Sequence, residues 1–299
     1  MKLGLKIDVD TFRGSRDGVP RLAGALRARR AGATFLFSLG PDHTGRAIRR
    51  VFRRGFVGKV ARTSVLEHYG LKTLLYGTLI PGPDIGRRCA AELRAARDAG
   101  FEVGVHCWDH VRWQDHVAGA DASWTAQELD VACARFREVF GEAARVHGAA
   151  GWQTNAHALR YLHAHGFAYA SDTRGSGPFL PAMDGAVFAC PQWPTTLPTL
   201  DELVGVDGRT AQDAVRDILA LTAVPRADHV FTAHAELEGV RLLPALEALL
   251  EGWSRQGYEI AALRELAAAH RSRALPVHDV VYGSVPGRSG ALALQGPVH

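Results

Sequence analysis

Short apolar runs alternate along this chain with longer amphipathic ones, and that alternation sets the narrowest limit on its fold. An apolar run of about four to eight residues fits a strand buried on both faces, and a longer amphipathic run fits a helix that covers such a sheet. The strand candidates are residues 3–9, 34–39, 102–106, 145–150, 167–171, 187–190 and 230–234. The helix candidates between and after them are residues 19–30, 84–99, 125–140, 155–165, 211–223 and 242–256. In residues 125–140, Thr125 and Glu128 match a capping box, Leu129, Ala132, Phe136, Val139 and Phe140 share one face, and Gly141 is a stop signal. Strand-then-helix order, repeated, predicts an α/β domain with a parallel sheet closed or nearly closed into a barrel. Its site then lies at the carboxyl ends of the strands.

No linker rich in Pro, Gly or Ser interrupts the pattern, so residues 1–269 are expected to form one catalytic domain and residues 270–299 a C-terminal extension. With 47% hydrophobic and 22% charged residues, the chain has the balance of a packed enzyme rather than a disordered one. Cys89, Cys107, Cys133 and Cys190 are widely spaced and never form CxxC, which indicates neither a zinc ribbon nor a disulfide framework and predicts reduced thiols. The first residues alternate Leu3, Leu5, Ile7 and Val9 with Lys2, Gly4, Lys6 and Asp8, without the apolar core of an export signal, so a cytoplasmic location is expected. Charges interrupt every apolar segment, and none approaches the run of about 20 residues that a membrane-spanning helix needs.

The strand ends carry the chemistry. Alternation puts Asp8 and Asp10 on one face of the first strand. His106 and His110, four apart after a later strand, can project to one ion from a helical turn, and a carboxylate beside them completes a facial two-His, one-carboxylate set. His234 and Glu236 follow the last apolar strand, and Asp172 follows another. Each has a bland explanation alone, as a cap or a solvated turn. Four strand ends bearing ionisable groups argue together for a site.

An acid pair on the first strand, HxxxH on a later one and a histidine on the last resemble the polysaccharide deacetylase family (carbohydrate esterase 4), which implies a distorted (β/α)7 barrel. Longer segments resemble, within it, deformylases that act on an undecaprenyl-phosphate-linked formamido sugar in lipid A modification and resistance to cationic antimicrobial peptides. These are IDVDTFRG (7–14), GVPRL (18–22), GPD and GR in 40–46, HCWDH (106–110) with Trp113 and Gln114, AAGW ending at Trp152, SDTRG (171–175) with Pro178 and Phe179, TLPT and DE in 196–202, and TAHAELEG (232–239).

The resemblance implies that Asp8 is the general base, that Asp10, His106 and His110 hold one divalent metal ion, and that His234 is the general acid with Asp172 as its partner. Zinc, manganese, cobalt and nickel all suit that ligand set. Arg13 and Arg174 are implied contacts for phosphate or sugar, Trp108 and Trp152 sugar-stacking surfaces, and Glu236 a further substrate contact; Trp108 fits a core role equally well. One departure concerns the base. Many deacetylases carry an arginine four residues before the glycine that is Gly151 here, and this chain has His147. His147 or Arg174 is then expected to serve the base. Two rivals are an N-deacetylase of a peptidoglycan- or chitin-like glycan and a non-catalytic sugar- or lipid-binding barrel. Bound metal separates the second from an enzyme.

The formal charge of +4 is unevenly spread. Residues 43–66 contain no acid, while Arg46, Arg49, Arg50, Arg53, Arg54, Lys59 and Arg62 interleave with Val51, Phe52, Phe56, Val57 and Val60. A basic amphipathic segment of this kind predicts docking on an anionic membrane surface, here the cytoplasmic face of the inner membrane, in preference to nucleic acid.

Overall fold

The first strand is buried on both faces, and the rest of the chain is arranged around it. The computed structural model describes residues 1–47, 73–224 and 227–299. Its strands are β1 (Lys2–Val9), β2 (Thr34–Ser38), β3 (Glu102–Cys107), β4 (Val146–His147), β5 (Tyr169–Ala170), β6 (Leu180–Met183), β7 (Ala186–Val187), β8 (His229–His234), β9 (Glu259–Ala261), β10 (Val277–Gly283) and β11 (Leu292–Val298). Among the described residues, the main sheet runs β5-β4-β3-β2-β1-β8, all parallel, with β9 alongside the start of β1. The chain is thus an α/β protein with a distorted barrel, as expected.

Alternation sorts the side chains. Leu3, Leu5, Ile7 and Val9 of β1, Phe35 and Phe37 of β2, and Phe231 and Ala233 of β8 pack outward with the helices Val19–Ala28, Ala90–Asp98, Ala122–Phe140 and Leu243–Arg255 in one core. Leu36, Val146, Tyr169, Trp193 and Val230 form a separate cluster with Leu263 and Leu266 from the helix Leu263–His270. These residues fill the barrel and plug its lower mouth. Gly148 leaves space inside: a Cβ there would lie 2.2 Å from Leu36 Cδ1 and 3.3 Å from Lys6 Cε.

The distortion has a covalent cause. Residues 191–197 bridge the gap between β5 and β8: Trp193 N–H donates to Ala170 O at 2.7 Å, and Thr196 N–H donates to Val230 O at 3.0 Å. Pro191 and Pro194 interrupt this stretch and Pro198 follows it. A proline has no N–H to give a ladder, so the barrel closes here through an irregular segment.

Several local expectations are corrected. The candidate strand 187–190 does not enter the barrel; only Val187 is in a strand, β7 of the second sheet. Strands 145–150 and 167–171 contract to two residues each, and helix 84–99 breaks at Cys89. The helix expected at Thr125 begins at Ala122, because the Asp121 side chain accepts from Trp124 N–H and caps it earlier. Thr125 instead lies inside the helix and donates to Asp121 O.

Residues 270–299 contribute two strands. These strands, β10 and β11, form a hairpin, β10 runs parallel to β6, and the second sheet has the order β11-β10-β6-β7. All four cysteine thiols are unpaired, as expected. Among the described residues no helix is long and apolar enough to cross a membrane. Of the basic stretch 43–66 only residues 43–47 are described; Arg49, Arg50, Arg53, Arg54, Lys59 and Arg62 lie outside the described residues.

Candidate active site

Register brings the first two chemical groups together. In the parallel β1–β8 pair Asp8 stands opposite His234, and Lys6 opposite Thr232. Period-two alternation then gives Lys6 and Asp8 one inward face at the carboxyl end of the barrel. Asp10 follows β1 directly. His106 is the inward residue near the end of β3, and His110 opens the helix His110–His116, which Asp109 caps by accepting from Arg112 N–H at 3.1 Å.

His106 Nε2 lies 3.1 Å from Asp10 Oδ1, and His110 Nε2 lies 3.3 Å from Asp10 Oδ2. The three ligand atoms fall within 4.8 Å of one another. His106 Nδ1 is 2.6 Å from Gly148 O, and a carbonyl only accepts, so Nδ1 carries the proton and the Nε2 lone pair faces Asp10. Both His106 Nε2 and Asp10 Oδ1 are buried without a hydrogen-bond partner among the described residues. Two lone pairs aimed at each other suit a cation between them, and the second-layer carbonyl fixes the tautomer that a metal requires. The donor set therefore fits a divalent ion. Burial opposes charge on Asp10, yet His110 and His106 hold its carboxyl well below the usual range. Burial likewise opposes charge on His110, but Asp10, with Asp8 and Asp109, raises its pKa.

Asp8 has a cation of its own. Lys6 is fully buried with Nζ 3.3 Å from Asp8 Oδ2; it donates to Ser171 O at 3.0 Å and lies 5.3 Å from the centre of the Trp152 ring. Neither residue expected to serve the base reaches it. His147 turns outward, because alternation makes Val146 and Gly148 the inward positions, and its Nδ1 pairs with Asp172 Oδ1 at 2.7 Å. Arg174 is buried against Glu202 and Leu197 O, 5.0 Å from the centre of the Trp152 ring. Lys6 thus occupies the place expected for His147 or Arg174.

The partner expected for His234 is also different. Asp172 is engaged by His147, by Ala149 N–H at 2.9 Å and by Gln192 Nε2 at 3.2 Å. Burial works against its charge, and His147 wins, lowering its pKa. His234 Nδ1 instead faces Asp201 Oδ1 at 3.7 Å. Burial opposes charge on Asp201 too, but Arg288 and His234 lower its pKa.

A cavity of about 140 Å³ joins these groups, lined by Asp8, Asp10, His106, His110, Gln114, Gly151, Trp152, Asp201, His234, Leu237 and Arg288. Gly151 and Trp152 both take left-handed backbone conformations, with φ of 62° and 51°. Trp152 is no glycine, so this strain is held by its surroundings, including Nε1–H donation to Thr195 Oγ1 at 3.1 Å. Four residues named above as substrate contacts are absent from the lining. Trp108 is half-buried behind Gly40, with Arg135 5.1 Å from its ring centre, and serves packing. Glu236 is buried beside Gly14 and Asp10, where burial first and Asp10 second raise its pKa. Arg13 follows β1 outside the cavity, and Arg174 is covered by Trp152.

Lys6, Asp201 and Arg288 were not singled out from the sequence as site residues. The signal for Lys6 was available, since it shares the period of Asp8 and Asp10. Arg288 had none, being one of three arginines in a weakly patterned tail.

No family model matches the chain. It is 36% identical over 294 residues, 98% of this chain and 94% of the relative, to the "Probable 4-deoxy-4-formamido-L-arabinose-phosphoundecaprenol deformylase ArnD" of Shewanella sediminis. It is 30% identical over 283 residues to the protein of the same name from Wigglesworthia glossinidia brevipalpis, covering 94% of this chain and 98% of that one. Among solved structures it is similar to a "putative polysaccharide deacetylase" from Mycobacterium smegmatis, with a TM-score of 0.63 at 17% identity, over 95% of this chain and 94% of the other. That last likeness concerns the fold.

Proposed function

The chain belongs to the family of 4-deoxy-4-formamido-L-arabinose-phosphoundecaprenol deformylases, and from that premise we propose that it hydrolyses the N-formyl group of the undecaprenyl-phosphate-linked sugar. The products are formate and the 4-amino sugar lipid, a step in lipid A modification and polymyxin resistance. The observation that carries this reading is one cavity lined together by a His/Asp ligand set, a lysine-paired carboxylate and an imidazole whose Nδ1 faces an aspartate at 3.7 Å.

Asp10, His106 and His110 would hold the divalent ion, of which zinc, manganese, cobalt and nickel are all acceptable. When bound, such an ion polarises an amide carbonyl and acidifies water. Asp8 takes the proton from the attacking water, and Lys6 keeps the carboxylate aimed at the cavity. His234, with Nδ1 toward Asp201, has Nε2 on the opposite edge of its ring and delivers a proton to the departing sugar nitrogen. That proton is needed because an amide anion is a very poor leaving group. Trp152 lines the cavity with only 2% of its surface exposed and with Lys6, Arg174 and Arg288 over its ring, so it braces the site rather than offering a stacking face.

The substrate's lipid chain stays in a bilayer, so the basic residues of the 43–66 stretch are proposed to dock the enzyme on an anionic surface at the cytoplasmic face of the inner membrane. Residues 1–269 are proposed as the catalytic domain, with the hairpin of the extension packed on it. The deciding experiment incubates metal-loaded protein with formamido- and acetamido-arabinose lipids and follows deacylation by mass. Loss of formyl with acetyl retained is the expected result. Acetyl loss at an equal or greater rate would replace this reading with that of a general deacetylase.

A further inference from the structure

The extension delivers one side chain into the cavity. Val285, Pro286, Gly287 and Arg288 make a turn in which Arg288 N–H donates to Val285 O at 3.1 Å and Gly287 has φ of 82°. Proline then glycine at the two central positions is the requirement of a type II turn. Gly287 also sits against the Glu202 backbone, where a Cβ would be 2.3 Å from Glu202 O. The turn thereby places Arg288 over the helix Leu200–Leu203 and over the Trp152 ring, 4.8 Å from its centre.

The guanidinium is committed to that helix. Nε donates to Glu202 Oε1 at 2.8 Å, Nη2 to Thr199 Oγ1 and Asp201 Oδ1 at 3.0 Å each, and Nη1 lies 2.9 Å from Asp201 Oδ2. Both oxygens of Asp201 are gripped by the fork, and one of them is the oxygen facing His234 Nδ1 at 3.7 Å. Four of five N–H directions being spent on protein acceptors makes this arginine a clamp rather than a reader of substrate phosphate. Asp201 sits on a one-turn helix with a side chain 28% exposed, where Thr199 Oγ1 donates to Oδ1 at 2.6 Å and the Arg288 fork adds the grip that reaches Oδ2 as well.

We infer that Arg288 is a positioning residue for catalysis: the C-terminal hairpin, through Arg288, holds Asp201 against His234 and so orients the imidazole that protonates the leaving nitrogen. This rests on the assignment of His234 as general acid. The fork matters as well as the charge, since a lysine offers a point charge that cannot hold both carboxylate oxygens in one plane.

The test compares two leaving groups in the metal-loaded, full-length enzyme. Turnover of the formamido sugar needs a proton on nitrogen, whereas phenyl formate loses phenolate without one. Arg288→Gln should lower the amide-to-ester rate ratio by about 10-fold, mainly in kcat, part of what a general acid contributes. Arg288→Lys should fall between Gln and wild type, and it supplies the ratio if Arg288→Gln does not fold. His234→Ala should lower the ratio further. If His234→Ala lowers the ratio and both Arg288 variants leave it unchanged, Arg288 is merely structural and the inference fails alone. If His234→Ala leaves the ratio unchanged, the acid assignment fails and this inference with it. A fall of both rates together in Arg288→Lys, in step with a lower Tm, also overturns it.

Discussion

Replacing Lys6 with Met tests the heart of the site, because it removes a charge while nearly preserving shape. Lys6 is 0% exposed, and its Nζ is 3.3 Å from Asp8 Oδ2. At an effective dielectric of about 20 that separation corresponds to roughly 5 kcal/mol of gross attraction. Desolvation of both groups offsets much of it, so the pair itself adds little net stability. Breaking the pair is another matter: an unpartnered carboxylate left in the barrel costs about 3–5 kcal/mol. The methionine side chain fills most of the vacated volume, which keeps the cavity cost small. Urea unfolding of the metal-free protein, followed by circular dichroism, should therefore show Lys6→Met destabilised by that amount. The double variant Lys6→Met/Asp8→Asn, which removes both charges, should recover at least about 2 kcal/mol of it. A coupling energy below about 0.5 kcal/mol would refute the claim that Lys6 is the partner of Asp8.

Three further outcomes follow from the same geometry. Asp8→Asn should keep the bound metal and lose roughly 100-fold or more in rate, whereas His110→Ala should lose both; metal content by elemental analysis beside turnover checks this, and near wild-type turnover of metal-saturated Asp8→Asn removes Asp8 from the mechanism. Burial pushes the Glu238 carboxyl from its ordinary value of 4.5 up to about 7, against the lowering effect of His234. The folded state then keeps a proton that the unfolded chain has lost, so stability should fall as pH rises through this window, by about 3 kcal/mol in all. Glu238→Gln keeps an acceptor for His234 N–H and should flatten the decline in urea midpoint between those pH values; an unchanged slope assigns it to other groups. Replacing Arg49, Arg50, Arg53 and Arg54 with Gln should reduce salt-sensitive sedimentation with anionic vesicles and slow turnover of the lipid-linked substrate while sparing a short soluble analogue, and unchanged vesicle binding refutes the docking role.

What the sequence alone determined rests on short-range periodicity. Period two in Lys6-Ile7-Asp8 and the spacing of His106 and His110 were enough to place acids and imidazoles on inward faces at strand ends, and the strand-helix alternation was enough for a parallel barrel. The tertiary structure decided which of those groups meet. Lys6 rather than His147 or Arg174 stands beside Asp8, because inward and outward positions alternate at β4 and Gly148 leaves the space that Lys6 crosses. Asp201 rather than Asp172 faces His234, because Asp172 turns outward to His147 while a proline-interrupted segment carries the chain across to β8. Arg288 enters from a hairpin whose place on the barrel is set by pairing of β10 with β6. Alternation is a property of neighbours in the chain and covers Lys6 and Asp8, two residues apart on β1, whereas Asp201 with His234 and Arg288 with Asp201 join segments tens of residues apart, and only the register and closure of the folded barrel bring those within a few ångströms.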